Sequence, residues 1–430
     1  MANYQKIKGT RDFFGDKSIK LTYIENVCKE VAKTYNISEI VTPIFENTDV
    51  FVKNVGEDSD VVNKEMYTFK DKSNRSITLR PEGTASVARC FIENKMYASP
   101  LPLTKLYYFG PMFRYEQPQA GRYREFRQFG VEVYGEGTPL LDCEIILSAY
   151  AIFKKLGIKN IKLKINSIGN FESRKHYSEA LKLYFNEYVE NMCDDCKRRL
   201  NTNPMRILDC KADAKTIVNG VNVIQNAPKI NDYLTEEAEN YFKEVINILS
   251  GFDVPFIVDH NLVRGLDYYT DTVFEFIIES NDELNGLALG GGGRYADMIK
   301  SMVGIDVSGM GYAIGVDRLI AVMENQGLFN DIFPRVDAVI MGLDKESKIE
   351  AMKLASVLRD NDLIIEMDYK NISMKPQFKL CDKVNPKYII IIGETERLNG
   401  IYTVKNSDTK VQKNVKKEDL ISYLKNNRGE

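Results

Sequence analysis

Residues 113–128 have the sequence FRYEQPQAGRYREFRQ and join two segments with strand patterns, 103–113 and 126–134. A further pair of strand-like runs with short turns occupies residues 65–80. Strands that follow one another through short loops are typical of antiparallel pairing. The pattern therefore predicts an antiparallel sheet and not a series of parallel βαβ units.

The same sixteen residues contain four arginines and two glutamates around a loop with proline and glycine. Guanidinium groups suit a phosphate ligand, because Arg forms paired hydrogen bonds with phosphate oxygens. A solvated charged hairpin explains the spacing equally well, since Arg/Glu alternation is common on protein surfaces. Both interpretations stay open on spacing alone.

Composition narrows the possible chemistry of this 430-residue chain. The 58 Lys+Arg and 61 Asp+Glu give a formal charge of −3, and 44% hydrophobic and 28% charged residues are ordinary globular values. This length predicts two or three domains.

With two histidines and no tryptophan, catalysis by a Ser-His-Asp triad or a His-rich zinc site is disfavoured. The near-neutral total does not exclude a nucleic-acid partner, because binding depends on local charge clusters.

Hydropathy and cysteine usage indicate a compartment. The longest apolar run, 388–392, is too short to cross a membrane, and the N-terminus has no apolar signal core. We therefore expect a cytoplasmic protein without a membrane segment. The seven cysteines are irregularly spaced, which does not predict a disulfide framework.

Three of these cysteines, Cys193, Cys196 and Cys210, cluster in the sequence. A structural zinc ion normally needs four ligands, and no fourth Cys or clear His lies nearby. Incidental thiols are the favoured interpretation, a partial metal site is the alternative, and no metal site is predicted.

Periodicity predicts the remaining elements of the first 330 residues. An amphipathic helix covers 18–35, and a strand at 40–45 contains Pro43, which indicates an edge, a bulge or an interface. A composition shift marks 171–250 as an inserted helical subdomain. Further segments are a helix at 85–93 capped by Thr84, a helix at 140–158, strands at 161–166 and 255–278, a turn or ligand approach at glycines 290–293, and a helix at 315–326.

Beyond Pro334, strands and helices alternate regularly and predict a small α/β domain. The predicted strands are 336–342, 363–367, 388–392 and 401–405, and the predicted helices are 345–360, 375–384 and 417–427.

Three other motifs are ambiguous when each is taken alone. Residues 80–84, RPEGT, suit a capped turn as well as a ligand site, and residues 264–270, RGLDYYT, suit an ordinary loop with packed tyrosines. Residues 309–319 place Arg318 one turn into a helix that follows closely spaced glycines. That arrangement allows close approach of a phosphate, although it matches neither a dinucleotide fingerprint nor a P-loop.

The order of these motifs resembles class II aminoacyl-tRNA synthetases. The strand with Pro43, the segment 113–128 and the helix entry at 315–318 are similar to their motifs 1, 2 and 3. The strings at 80–84, 262–269 and 291–295 resemble signatures of the histidyl-tRNA synthetase family. The resemblance extends from about residue 7 to residue 424.

The resemblance implies an α+β fold, in which an antiparallel sheet is flanked by helices. Residues 1–330 would form the catalytic domain, with the helical insertion at about 171–250, and residues 335–430 a C-terminal α/β anticodon-binding domain. It also implies a homodimer that joins around Pro43. The implied reaction activates L-histidine with ATP and Mg²⁺ to histidyl-adenylate and transfers it to the 3′-terminal adenosine of histidine tRNA.

The resemblance also assigns roles to single residues. Arg114 and Arg264 would be catalytic, with Arg114 on the α-phosphate and Arg264 on the reacting carboxylate and α-phosphate. Arg318 would bind the γ-phosphate, and Glu116 and Phe126 the adenine. The histidine pocket would comprise Glu82, Gly83, Thr84, Arg114, Gln128, Glu132, Arg264, Tyr268 and Tyr269. Within it, Glu132 and Tyr269 would bind the imidazole, whereas Glu82, Thr84 and Gln128, with Tyr268, would bind the α-ammonium.

The loop after Glu116 departs from the family pattern. Relatives often carry Arg and Lys there, but this chain has Gln117 and Ala120. Gln119 and Arg122 are then the residues expected to contact the tRNA acceptor end.

Two other functions compete with the enzyme. One is a histidine-sensing regulatory paralogue of ATP phosphoribosyltransferase, which resembles the synthetase without aminoacylation activity. Such paralogues typically lack the C-terminal domain and part of the 264–269 string, and both are present here. The other, a regulatory domain of a stress-sensing kinase, would require kinase motifs, and none is visible. The synthetase is therefore the favoured interpretation.

Overall fold

The computed structural model describes residues 4–426, apart from residues 57, 58, 60, 118–120, 211 and 267. The chain forms two compact units, Met1–Ile332 and Phe333–Glu430. None of the helices in the described ranges is both long enough and apolar enough to cross a membrane.

The first unit contains thirteen strands in its described residues. They are β1 (Ser38–Glu39), β2 (Phe45–Asn47), β3 (Tyr67–Lys70), β4 (Ser76–Leu79), β5 (Leu103–Phe113), β6 (Glu125–Gly135), β7 (Ile161–Ser167), β8 (Ile217–Val218), β9 (Val221–Asn222), β10 (Phe256–Val258), β11 (Thr270–Ile278), β12 (Ala288–Arg294) and β13 (Ser308–Gly315).

Nine α-helices accompany these strands in the described part of the unit. They are α1 (Asp16–Thr34), α2 (Thr48–Val55), α3 (Thr84–Glu93), α4 (Pro139–Lys155), α5 (Phe171–Asn186), α6 (Asp194–Thr202), α7 (Glu236–Leu249), α8 (Met298–Val303) and α9 (Val316–Asn325). Short 3-10 or π turns lie at Val61–Glu65, Met96–Ala98, Val189–Asn191, Pro204–Ile207 and Ile230–Tyr233.

Eight strands form one sheet in the order β1-β5-β6-β13-β12-β11-β7-β10. The pairs from β5 to β7 are antiparallel, and the described strands of this sheet are parallel only at its two edges, β1 with β5 and β10 with β7. The antiparallel prediction is thus confirmed for the body of the sheet. Strands β5 and β6 pair along their full length, so the arginine-rich loop joins two neighbouring strands.

Helices cover both faces of this sheet. Side chains of α1, α4, α7 and α9 pack on one face, where Ile146, Phe274 and Leu319 are fully buried. Helices α3 and α8 pack on the other face around Val87 and Tyr134. Alternate side chains of each strand therefore enter different cores, as expected for a covered antiparallel sheet.

The inserted segment has its own core. Helices α5 and α6, the hairpin β8-β9 and the short turns bury a cluster that includes Leu181, Phe185 and Ile207. Helix α7 instead packs against α4 in the main core. The segment with a separate core therefore ends before α7, within the predicted range 171–250.

Three local predictions were wrong in detail. Residues 40–44 lie in no strand, because Pro43 has no N–H to donate and the Arg80 guanidinium binds the Thr42 carbonyl at 3.0 Å. For glycines 290–293 the turn interpretation is wrong, because they form the middle of strand β12, whereas the alternative of a ligand approach is not contradicted. Helix α3 is capped by the carboxylate of Glu82 and not by Thr84, which is its first residue.

The second unit is a five-stranded sheet with helices. Its strands are β14 (Ala338–Gly342), β15 (Ile365–Met367), β16 (Tyr388–Ile392), β17 (Ile401–Asn406) and β18 (Gln412–Lys416), in the order β15-β14-β16-β17-β18. Its helices are α10 (Lys345–Arg359), α11 (Met374–Val384), α12 (Glu394–Asn399) and α13 (Leu420–Asn426). The sequence pattern predicts this alternation but not β18 and α12, which are short and largely polar.

Candidate active site

One cavity of about 380 Å³ opens above the central strands of the first unit. Twelve predicted site residues line it: Glu82, Thr84, Arg114, Glu116, Arg122, Phe126, Gln128, Glu132, Arg264, Tyr268, Tyr269 and Arg318. Gly83 is not among the lining residues, and Gln119 lies outside the described residues. The sheet therefore gathers segments that are far apart in the sequence.

A buried carboxylate, Glu132, lies at the base of this cavity. Strand β6 carries it, and its side chain is only 1% exposed. The Thr84 hydroxyl donates to Oε1 at 2.6 Å, and the Tyr295 hydroxyl donates to Oε2. Burial raises the pKa of Glu132 to about 8, although both hydrogen bonds oppose the shift. The group can therefore take up or release a proton near neutral pH.

Glu82 is a second buried carboxylate beside the first. Its two oxygens accept the backbone N–H groups of Thr84 and Ala85, each at 2.8 Å. Burial raises the pKa of Glu82, and these backbone hydrogen bonds counteract part of the shift. The carboxylate thus fixes the start of helix α3 while it faces the cavity.

Gly83 makes room for an aromatic ring. A Cβ at this position would lie 2.2 Å from Cζ of Tyr108, and a Cβ at Gly130 would lie at the same distance. The Tyr108 ring therefore fits between two glycines, and its buried hydroxyl has no hydrogen-bond partner among the described residues. The structure gives Gly83 a packing role next to the site.

Arg264 lies against the aromatic wall of the cavity. Its guanidinium carbon is 5.7 Å from the Tyr269 ring centroid, and Nη1 donates to Glu275 Oε1 at 3.0 Å. A Cβ at Gly291 would lie 2.8 Å from Nη1. The glycines of strand β12 thus provide the space that this side chain occupies.

Two further arginines line the other side of the cavity. Arg114 donates from Nε to the Pro81 carbonyl at 2.9 Å and lies 5.4 Å from the Phe126 ring centroid. Arg318, in the first turn of α9, donates to the Ala288 carbonyl at 2.6 Å. Burial, and then repulsion from Arg122, lowers the pKa of Arg318. A bound polyanion would relieve this repulsion.

The cavity has an unused acceptor. The buried Oε1 atom of Gln128 has no hydrogen-bond partner in the described part of the chain. Buried polar atoms without partners are rare in proteins, so a ligand with donor groups fits this position.

Several lining residues were not singled out from the sequence. Tyr295 and Glu275 are the partners of Glu132 and Arg264, and Arg206 and Asp209 reach the cavity from the insertion. Tyr295 lies two residues after the glycine run 290–293, which was a usable signal. No local pattern pointed to Asp209, because only the tertiary fold brings the insertion to the cavity.

The arrangement combines two chemistries. Three guanidinium groups can neutralise a polyanion such as a triphosphate, whereas the buried carboxylates and tyrosines can bind a small molecule with several donor groups. Fixed cations near a phosphate stabilise the charge that develops during phosphoryl or nucleotidyl transfer.

Comparison with known proteins agrees with this chemistry. The family model described as histidyl-tRNA synthetase matches residues 9–319, and that of an anticodon binding domain matches residues 337–427. The chain is 43% identical to a histidine–tRNA ligase of Anoxybacillus flavithermus, over 98% of this chain and 99% of the relative. It is 44% identical to that of Staphylococcus haemolyticus, with the same coverage.

A solved structure is also similar over the full length. The apo histidyl-tRNA synthetase of S. aureus matches with a TM-score of 0.83 and 39% sequence identity. The match covers 98% of this chain and 100% of that one.

Proposed function

The chain belongs to the histidyl-tRNA synthetase family, and on that basis we propose how its cavity performs the reaction. The chain is an aminoacyl-tRNA ligase specific for histidine. In the proposed first step, the histidine carboxylate attacks the α-phosphate of ATP, which forms histidyl-adenylate and releases pyrophosphate. In the second step, the 3′-terminal adenosine of histidine tRNA takes the histidyl group and AMP leaves.

Arginines supply the electrostatic part of the first step. Arg114 binds the α-phosphate, Arg318 the γ-phosphate, and Arg264 the reacting carboxylate together with the α-phosphate. The convergence of these three guanidinium groups beside the buried Glu132 is the observation that carries the proposal. Cations that are already in place need no reorganisation when charge develops on the phosphate.

The histidine pocket contains the two buried carboxylates. Glu132 and Tyr269 bind the two ring nitrogens, and Glu82, Thr84 and Gln128, with Tyr268, bind the α-ammonium. The unpartnered Gln128 oxygen supports this assignment, because an ammonium group is a donor. Amino acids without ring nitrogens would leave buried polar groups unpaired. This typically lowers kcat/KM for such amino acids by ~10⁴–10⁵ relative to the correct substrate.

ATP occupies the arginine-rich side of the cavity. Phe126 stacks on the adenine, and Glu116 accepts a hydrogen bond from it. The Glu275 carboxylate also lines the cavity, so an oxygen ligand suited to the Mg²⁺ that accompanies ATP is available. When bound, Mg²⁺ neutralises phosphate charge.

Two regions are assigned to tRNA. Arg122, together with Gln119, contacts the acceptor end, and the C-terminal domain of residues 335–430 reads the anticodon. Because its second substrate is tRNA, we place the enzyme in the cytoplasm, where tRNA is charged.

We further propose a homodimer through the region around Pro43. Val41, Ile44 and Phe45 support it, because these apolar side chains are 85%, 46% and 56% exposed in the single chain. Sedimentation equilibrium tests it: a monomer mass at micromolar concentration would contradict the proposal.

The regulatory paralogue is the weaker alternative. Both relatives named above are histidine–tRNA ligases and match nearly the full chain, and the anticodon binding domain is present.

A charging assay with histidine tRNA tests the separate roles proposed for the catalytic domain and the C-terminal domain. We expect the full chain to charge the tRNA, and a chain without residues 335–430 to activate histidine but charge tRNA poorly. Unimpaired charging by the shortened chain would contradict the anticodon role.

A further inference from the structure

The insertion brings four potential metal ligands together outside the active site. The sulfurs of Cys193, Cys196 and Cys210 and a carboxylate oxygen of Asp213 all lie within 4.8 Å of one another. Cys196, Cys210 and Asp213 are 1%, 7% and 4% exposed, and Cys193 is half-buried. Asp213 is the fourth donor, which a search for cysteine and histidine alone does not find.

The spacing of these atoms matches a metal-centred tetrahedron. Zn–S bonds are about 2.3 Å, so two sulfurs of a regular tetrahedral site lie about 3.8 Å apart. The Cys193 and Cys210 sulfurs are 3.7 Å apart, and the Cys210 sulfur is 3.7 Å from Asp213 Oδ2. A disulfide would need about 2.05 Å, and all seven cysteines are free thiols.

The local backbone presents the ligands in a fixed arrangement. Cys193 precedes α6 and Cys196 lies in its first turn. With two residues between them, both sulfurs lie on the same side of the start of this helix. Cys210 follows the turn Pro204–Ile207, with its N–H on the Ile207 carbonyl at 3.0 Å.

The carboxylate is oriented by neighbouring donors. The Cys193 N–H is 3.1 Å from Oδ2 of Asp213, and the Thr216 hydroxyl donates to Oδ1 at 3.2 Å. Metal-binding carboxylates are held in this way by surrounding hydrogen bonds. A metal ion would place a positive charge beside this buried carboxylate.

We infer that Cys193, Cys196, Cys210 and Asp213 bind one structural Zn²⁺ ion. Thiolates select soft metals such as zinc over Mg²⁺ or Ca²⁺, and four protein ligands leave no open position for catalysis. The ion closes the loop between Cys196 and Cys210. That loop carries Arg206 and Asp209 to the wall of the cavity, so zinc binding stabilises part of the active-site boundary.

Metal analysis of the full-length chain tests the inference without reference to activity. The protein is expressed with zinc, purified without a metal-affinity step, and dialysed before elemental analysis. We expect about one zinc per chain, as for other structural sites. A folded, unaltered chain without zinc, whose three thiols react freely with a thiol reagent or form a disulfide, would overturn the site.

Variants identify the ligands. Cys210→Ser should lose most of the zinc, whereas Cys90→Ser, which alters a half-buried cysteine outside the cluster, should retain it. Full zinc content in Cys210→Ser would contradict the ligand set.

Cobalt substitution gives a second readout on the unaltered chain, so a variant that fails to fold does not decide the matter. Co²⁺ in the site should show the strong visible bands of tetrahedral coordination and sulfur-to-metal charge transfer. These bands should shift in Asp213→Asn. Weak octahedral bands in the unaltered chain, or an identical spectrum in Asp213→Asn, would count against the assignment.

Discussion

At the residue scale, Glu132 is the group on which we propose that amino-acid selection depends. It is buried, its oxygens accept from Thr84 and Tyr295, and Gly311 approaches so closely that a Cβ there would lie 2.2 Å from Oε2. The carboxylate therefore has one position and one set of neighbours. A side chain fixed in this way can discriminate between ligands by hydrogen bonding, because it cannot rearrange to suit a different ring.

Glu132→Gln should weaken histidine binding more than ATP binding. Only the imidazole is proposed to contact this side chain. The glutamine side chain has one acceptor oxygen and an NH₂ donor, whereas the carboxylate has two acceptor oxygens. We expect the histidine Kd to rise at least about tenfold, the size of one lost buried hydrogen bond, with the ATP Kd nearly unchanged. Titration calorimetry measures both constants, and Glu144→Gln, a more exposed glutamate paired with Lys105, is the control. Equal effects on the two ligands would remove Glu132 from the histidine pocket.

The raised pKa of Glu132 also predicts how stability depends on pH. Because the pKa rises from 4.5 to about 8 on folding, the folded state holds the proton more tightly. This group therefore contributes stability below pH 4.5 that is lost as pH rises to about 8. Urea unfolding of the unaltered chain should show a steeper decline between pH 5 and 8 than that of Glu132→Gln. Parallel curves would mean that the carboxylate is not desolvated.

Arg264→Ala should slow adenylate formation with little loss of stability. Removal of one preorganised charge at a reacting group typically costs about 10²–10³-fold in rate. Pyrophosphate exchange at saturating substrates measures the rate, and thermal unfolding measures the fold. Arg75→Ala is a matched control, because that arginine is exposed in the turn between β3 and β4. Near-normal turnover in Arg264→Ala would exclude the arginine from the mechanism.

At the scale of elements, strands β5 and β6 and the start of helix α3 form one packing unit around Tyr108. Its ring lies between Gly83, before α3, and Gly130, in β6. The start of α3 carries Glu82 and Thr84, so displacement of the ring would also move these two cavity residues.

Gly83→Ala should lower both stability and histidine binding. The new Cβ would overlap the Tyr108 ring, and overpacking of this kind costs about 1–3 kcal/mol. The double variant Gly83→Ala/Tyr108→Leu should recover part of the stability, because the smaller side chain vacates the space. Thermal unfolding of the four proteins of this cycle measures the coupling. Additive effects would show that the two residues do not contact each other in solution.

Periodicity predicted the elements that bury one regular face. Helix α1 and the long strands β5 and β6 repeat their apolar residues at helical or strand spacing, and their bounds differ from prediction by one or two residues. Strand β12 was not predicted, since four successive glycines resemble a turn. They are tolerated in a strand here because side chains such as Arg264 occupy the space above them.

The site was only partly predictable, because some of its residues are brought together only by the tertiary fold. Motifs that lie within one segment, such as 80–84 and 264–269, identified residues that do line the cavity. Sequence spacing does not predict pairs that form across the fold, such as Tyr295 with Glu132 and Asp213 with the cysteines.

At the scale of the whole molecule, the chain joins two units with separate cores. The first carries the cavity and the insertion, and the second matches an anticodon binding domain. We expect activation of the amino acid to need only the first unit, because each residue proposed for that step lies before residue 319. The activation step can therefore be examined without tRNA.

Pyrophosphate exchange with each amino acid in turn shows whether the protein activates histidine and no other amino acid. The assay follows the return of labelled pyrophosphate into ATP and so reports adenylate formation alone. The account predicts exchange that depends on histidine and is at background with the other amino acids. Exchange with a different amino acid, or histidine binding without exchange, would contradict it.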